Sequence, residues 1–200
     1  MFSLDGYTIF SFFVPFMSIF IIMDPFASIP PFLAFTSKCK EKEMMHTANR
    51  AVLLAGILAL IFLFFGTPLL DSIHITISDF RVAGGIVLVL MGLQNVLDIS
   101  FSNHKDKDHT SLDAAAVLIA TPLLAGPGLM SGLIVLELEF GLVPVLVSLF
   151  AALFVSWLLL ASSHRIRRAF GTRIIIIGSK VIGLLLIAIG ISYIKIGMAV

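Results

Sequence analysis

The run FIIMDPFASIPPFLAF, Phe20 to Phe35, sets one carboxylate, Asp24, and three prolines, Pro25, Pro30 and Pro31, among apolar residues. An ionised carboxylate in hydrocarbon is costly, so an acid in such a segment points to a site by default. Each proline also removes a backbone donor that a spanning helix would use. Both faults disappear if a helix starts here: Asp is a strong N-cap, and Pro fits the first helical position, where no N–H is needed. A second run, ATPLLAGPGLMSGLIV from Ala120, carries Gly126-Pro127-Gly128 with apolar sequence on both sides. It reads as the end of one half-helix, a reversal through glycine and the start of another. Unsatisfied amides at a half-helix N-terminus attract a carboxylate, whereas Asp24 attracts an ammonium or a cation. The residues expected to hold such a ligand are Asp24, Pro25 and Ser28 from the first run, and Thr121, Gly126, Pro127 and Gly128 from the second.

The elements that must carry these residues are membrane spans. Of the 200 residues, 59% are hydrophobic and 12% charged, and mean hydropathy is +1.11, far from a soluble domain. Apolar windows fall at about 7–35, 48–70, 82–97, 114–136, 142–161 and 174–194. Most are near the roughly 20 residues that cross ~30 Å of hydrocarbon. The expected architecture is all-α, with six transmembrane helices in a single domain over 1–200. The alternating ten-residue segments of a membrane barrel do not occur. From Asp24 to Ser37 and from Gly126 to Glu137 each segment is about half a bilayer long, which puts both breaks near the midplane. The rival placement ends span 1 at Met23 and leaves Asp24 at the water interface.

Charge sets the expected orientation. Lys38, Lys40, Lys42 and Arg50 follow span 1, Lys105 and Lys107 follow span 3, and Arg165, Arg167, Arg168 and Arg173 follow span 5. The connections DSIHITISD (71–79) and ELEFG (137–141) have no Lys or Arg, so the positive-inside rule puts both termini outside. No basic n-region precedes the first apolar run, so that span is expected to stay in the mature chain.

Three features recur in the same order. Ala51, Ala55 and Ala59 are matched by Ser148, Ala152 and Ser156, Gly85 and Gly92 by Gly183 and Gly190, and Asp24-Pro25 by Gly126-Pro127. Any one stripe is ordinary membrane-helix packing. Together they suggest two inverted three-helix repeats, about 7–98 and 113–198, with spans 1 and 4 broken.

The strings DPFASIPPF (24–32) and ATPLLAGPG (120–128), with glycine-rich third and sixth spans, resemble the MarC family, also described as small neutral amino-acid transporters. The resemblance covers essentially the whole chain. It implies a multi-pass inner-membrane protein that carries small neutral amino acids, with H⁺ or Na⁺ as the coupling ion and no other cofactor. Many members have Gly two residues after the first proline, where this chain has Ala27, which leaves less room for close backbone approach.

Other polar residues take plainer readings. Arg81 and Lys180 are read as snorkelling residues, with a gate or countercharge as the alternative. Glu137 and Glu139 are read as solvated loop acids, and Gln94 and Asn95 as packing glue, with a hydrogen bond across helices or a place along the pathway as the alternatives. NHKDKDHT (103–110) lacks metal-ligand spacing and is read as a solvated connection. The single cysteine, Cys39, is a bystander. HExxH, GxSxG and GxxxxGK[ST] are absent, so an enzyme is not expected. The expected partners are small neutral amino acids and the lipid bilayer, with no nucleic acid; a homo-oligomer is left open. The competing class is a structural or stress-related membrane protein in which the interruptions are packing kinks.

Overall fold

The computed structural model describes residues 3–4, 7–36, 39–97 and 124–199. A two-residue antiparallel ladder, β1 (Ser3–Leu4) with β2 (Tyr7–Thr8), precedes the helices. The other elements are α1 (Ile9–Met23), α2 (Pro25–Phe35), α3 (Glu41–Ser72), α4 (Ile77–Leu97), α5 (Pro127–Phe140), α6 (Leu142–Ala161) and α7 (Ser163–Met198). Among the described residues five segments are long and apolar enough to cross a membrane: 9–35, 41–72, 77–97, 142–161 and 173–198. α5 has 14 residues, about 21 Å of helix, too short to cross alone. The first half of the window expected around it, with Thr121, lies outside the described residues, as does the 103–110 connection.

The bundle is apolar on both its inside and its outside, as a membrane protein must be. Leu53, Phe64 and Phe65 of α3, Phe150 and Phe154 of α6, and Ile177 and Leu184 of α7 point outward. Small residues face inward instead. Ala51, Ala55 and Ala59 of α3 are buried, as are Ser148, Ala152 and Ser156 of α6. Because lipid tails are as apolar as leucine, helices associate there by close packing, which small side chains permit.

The tightest seam joins α4 and α7, which run antiparallel. A Cβ built on Gly85 would lie 2.5 Å from the Gly190 carbonyl oxygen, and one on Gly190 would lie 2.6 Å from that of Gly85. Gly92 and Gly183 repeat the arrangement one heptad away, at 2.5 and 3.0 Å. No larger residue permits this backbone-to-backbone seating. Around the seam, α1 packs on α5 and α6, α2 on α6 and α7, and α3 on α5 and α6. α7 is interrupted at Gly171, whose φ of 74° and ψ of 169° break the helix between the arginine-rich stretch and the span from Arg173.

Candidate functional site

α1 ends at Met23 and α2 begins at Pro25, with Asp24 as the single residue between them. Its backbone is left-handed, φ 38° and ψ 65°, where a cap residue ordinarily has extended geometry. Asp tolerates that region better than most residues because its short side chain bonds locally. The Ala27 amide donates to Asp24 Oδ1 at 3.1 Å, and Pro25 occupies the first helical position. The Asp24 amide reaches back to the Phe20 and Ile21 carbonyls, both at 3.2 Å, closing α1. The chain therefore changes direction at one residue and leaves few backbone groups unpaired.

Asp24 is 2% exposed, so the break lies inside the packed bundle. Three helices enclose it. Ile22 Cδ1 lies against Gly132 of α5, and the Phe26 ring lies against Gly178 of α7. Across the gap, Asn95 Nδ2 of α4 donates to Asp24 Oδ2. The carboxylate is thus held on both oxygens by uncharged N–H donors. Ser28 is buried, and its hydroxyl turns to the Asp24 carbonyl at 3.4 Å, a weak bond.

The second interruption is built differently. Gly126 caps α5 with an extended backbone, φ −75° and ψ 174°, and among the described residues no side chain caps the first turn. The Leu129 and Met130 amides return to the Gly126 carbonyl at 2.9 and 3.2 Å. The reversal through a left-handed glycine expected from Gly-Pro-Gly is not used here. Gly128 matters for space instead: a Cβ there would lie 2.6 Å from Leu88 Cδ2, with Met91 Sδ at 3.6 Å. Both helix starts therefore meet the same two turns of α4, Leu88 at one end and Asn95 at the other. Those seven residues span about 10 Å.

Two expectations are corrected. Glu139 is not a solvated loop acid: it lies in the last turn of α5, and Arg81 Nη2 of α4 donates to its Oε1 at 2.9 Å. Arg81 accordingly takes the countercharge role instead of simple snorkelling. Its side chain is 16% exposed, that of Glu139 42%, and Arg81 Nε is buried without a hydrogen-bond partner among the described residues. Asn95 makes the cross-helix hydrogen bond that was one of its expected readings, and its partner is Asp24. Its only sequence signal was an amide in an apolar span.

Among the described residues no group of three His, Cys, Asp or Glu side chains could hold a metal ion. Residues 9–200 match the MarC family of integral membrane proteins. A "UPF0056 membrane protein" of Methanocaldococcus jannaschii is 31% identical over 195 residues, covering 94% of this chain and 95% of its own. One of Buchnera aphidicola subsp. Schizaphis graminum is 30% identical over 92% of this chain and 89% of its own. The Escherichia coli protein YhcE, also a UPF0056 membrane protein, is 30% identical with the same two coverages. No solved structure matches. These names give no substrate, but with the apolar helices they establish the class: the chain is a multi-pass integral membrane protein and belongs to the MarC family.

Proposed function

We infer that this protein is a secondary transporter of small neutral amino acids, with the ligand held between the starts of α2 and α5. The observation that carries this reading is the pair of helix starts on one two-turn stretch of α4, the first capped by the buried Asp24 carboxylate and the second with no side-chain cap. The Asp24 carboxylate suits an ammonium, and the Gly128 amide, the one donor in the first turn of α5 that does not return to Gly126, suits a carboxylate at the positive end of the helix. A backbone with such interruptions at membrane depth is tolerated where it is packed in protein or lines a cavity. The positive-inside pattern supports an inner-membrane orientation with both termini outside.

The same reading includes six spans in two inverted repeats, and the packing supports it. An offset of 97 carries Gly56 onto Leu153, and these two touch: a Cβ on Gly56 would lie 3.2 Å from Leu153 Cδ1. An offset of 98 carries the Gly85 contact with Gly190 onto the Gly183 contact with Gly92. A residue that meets its own counterpart, and a contact that maps onto an equivalent contact when the halves are exchanged, are what a two-fold axis between halves produces. Extended to span 1, the offset of 97 pairs Asp24-Pro25 with Thr121-Pro122 and Pro30 with Pro127. That pairing replaces the match of Asp24 to Gly126 and makes Thr121 the counterpart of Asp24.

Counterflow into proteoliposomes tests the transporter. Purified protein should exchange external labelled alanine, serine or glycine for the unlabelled amino acid inside, with larger neutral side chains excluded. No exchange above protein-free vesicles for any of them would leave the scaffold reading in place.

A further inference from the structure

We propose that the arginine-rich first turns of α7 hold the phosphate of an anionic phospholipid at the membrane surface. Such a site is independent of the transporter reading and would serve a scaffold equally. Residues 163–170 form about 12 Å of helix set between two breaks. Ser162, φ −92° and ψ 2°, closes α6 on one side, and Gly171, φ 74° and ψ 169°, separates the segment from the span that starts at Arg173. The Gly171 conformation is open to glycine and to almost no other residue. Space is not what demands the glycine, since a Cβ there would meet nothing within 4 Å. Its backbone keeps the arginines from continuing the span as one rod.

Helical spacing divides the segment into two faces. At about 100° per residue, His164, Arg165, Arg167 and Arg168 fall on one arc of roughly 160°, with Ile166 opposite its centre. Burial follows that division: Ser163 is buried and Ile166 packs on the core, while the other four are exposed. Those four line an open hollow of about 440 Å³. A smaller one of about 200 Å³ shares His164 and Arg165 with it, and Cys39, Glu41 and Met44 form its far wall. The acids nearby leave most of the positive charge unanswered. Glu41 comes no nearer to Arg165 than 3.8 Å, with both side chains exposed, and Glu43 accepts from the Lys40 amide at 2.9 Å. Among the described residues Arg167 and Arg168 have no ion-pair or hydrogen-bond partner.

Depth in the membrane selects the ligand. Trp157, near the end of α6, donates from Nε1 to Asn49 Oδ1 at 2.6 Å and stacks on Phe154. A tryptophan with its ring on apolar neighbours and its N–H on a polar group marks the boundary between hydrocarbon and headgroups. The arginines follow it along the chain, at headgroup level. A helix there that is apolar beneath and basic above lies in the interface and draws anionic lipid. Arginine adds geometry to charge, because its planar fork pairs bidentately with phosphate oxygens and a lysine cannot. The positive-inside rule asks only for a number of charges. It does not account for the glycine-only break, the inward Ile166 or three arginines around one hollow. A choline headgroup cancels the charge of its own phosphate, so the hollow favours a lipid whose phosphodiester keeps its net charge.

The test is native mass spectrometry of the full chain in detergent, titrated with phosphatidylglycerol and, separately, with phosphatidylcholine. Phosphatidylglycerol should bind about tenfold more tightly or better. Arg167→Gln with Arg168→Gln should lower its affinity roughly thirtyfold, about fivefold for each basic residue at an anionic surface. Lys40→Gln with Lys42→Gln removes the same charge at the same end of the bundle but outside the hollow, and should cost less than about threefold. Equal losses in the two pairs would reduce the patch to topology charge and overturn the site, as would equal affinity for the two lipids. Excess inorganic phosphate should leave the lipid bound; displacement would assign the hollow to a soluble phosphate and overturn the lipid as its occupant. Should the arginine pair fail to fold, a phosphatidylglycerol with a photoactivatable headgroup decides on the unaltered chain. Its crosslinks should fall on peptides holding residues 163–173, and crosslinks found only elsewhere would overturn the site. No readout depends on counterflow, so failure of the carrier leaves the lipid result standing.

Discussion

Asp24 and Glu139 each tie α4 to a neighbouring helix, and they do so with opposite partners. Glu139 meets a full positive charge, Arg81, at the edge of the bundle where its side chain is 42% exposed. Asp24, 2% exposed, meets only neutral N–H groups. The ion pair has the stronger Coulomb attraction and the weaker claim to function. An exposed pair contributes about 0–1 kcal/mol, whereas a hydrogen bond to a buried charge is worth about 1.5–3 kcal/mol and its loss is felt in full. A helix fastening needs opposite charges; a binding site needs a charge left partly unanswered, so that a ligand completes it. By that measure the Asp24 end is the candidate for the proposed site and the Arg81–Glu139 end is a clasp.

Asp24→Asn should show the largest effect. Asn is nearly as good an N-cap, so thermal stability should stay close to wild type while substrate affinity falls roughly ten- to a hundredfold, the worth of one charge-assisted bond. Binding to purified protein measures it, and wild-type affinity would reduce Asp24 to a cap and dissolve the contrast. Glu139→Gln comes next: it should lower unfolding stability by about 1 kcal/mol through the unpaired, mostly buried Arg81, and move affinity less than threefold. Exchanging the two charges, Arg81→Glu with Glu139→Arg, should recover part of that stability; a tenfold affinity loss in Glu139→Gln would make the clasp part of the site. Ser28→Ala should do least. Its 3.4 Å bond is long, so stability should change by less than about 0.5 kcal/mol with affinity unchanged.

What could be read from the sequence follows the range of the interaction. The Asp24 cap and Pro25 at the first helical turn are separated by one and three residues from their partners, and Asp-Pro chemistry alone predicts them. The spans follow from apolar length. Asn95 to Asp24 and Arg81 to Glu139 bridge 71 and 58 residues, distances at which only the packing of whole helices decides which side chains meet. Gly128 was legible as a glycine but not for its reason, since the requirement comes from Leu88 on another helix and not from its own φ. The left-handed backbone fell instead on Asp24, the residue whose side chain could compensate for it.

The glycine seam bears on how such a molecule could move. Where a Cβ on Gly85, Gly92, Gly183 or Gly190 would strike a carbonyl, the hydrogen that stands there makes a Cα–H···O contact instead, each worth about 0.5–1 kcal/mol. Gly197 against the Ser78 carbonyl, at 2.7 Å, extends the row by a further heptad. Sliding α4 along α7 would break every contact in the row together, since each glycine would carry its neighbour's side chains into a carbonyl. In the proposed transporter this pair would act as the stator, with the access-changing motion assigned to the helices packed around it.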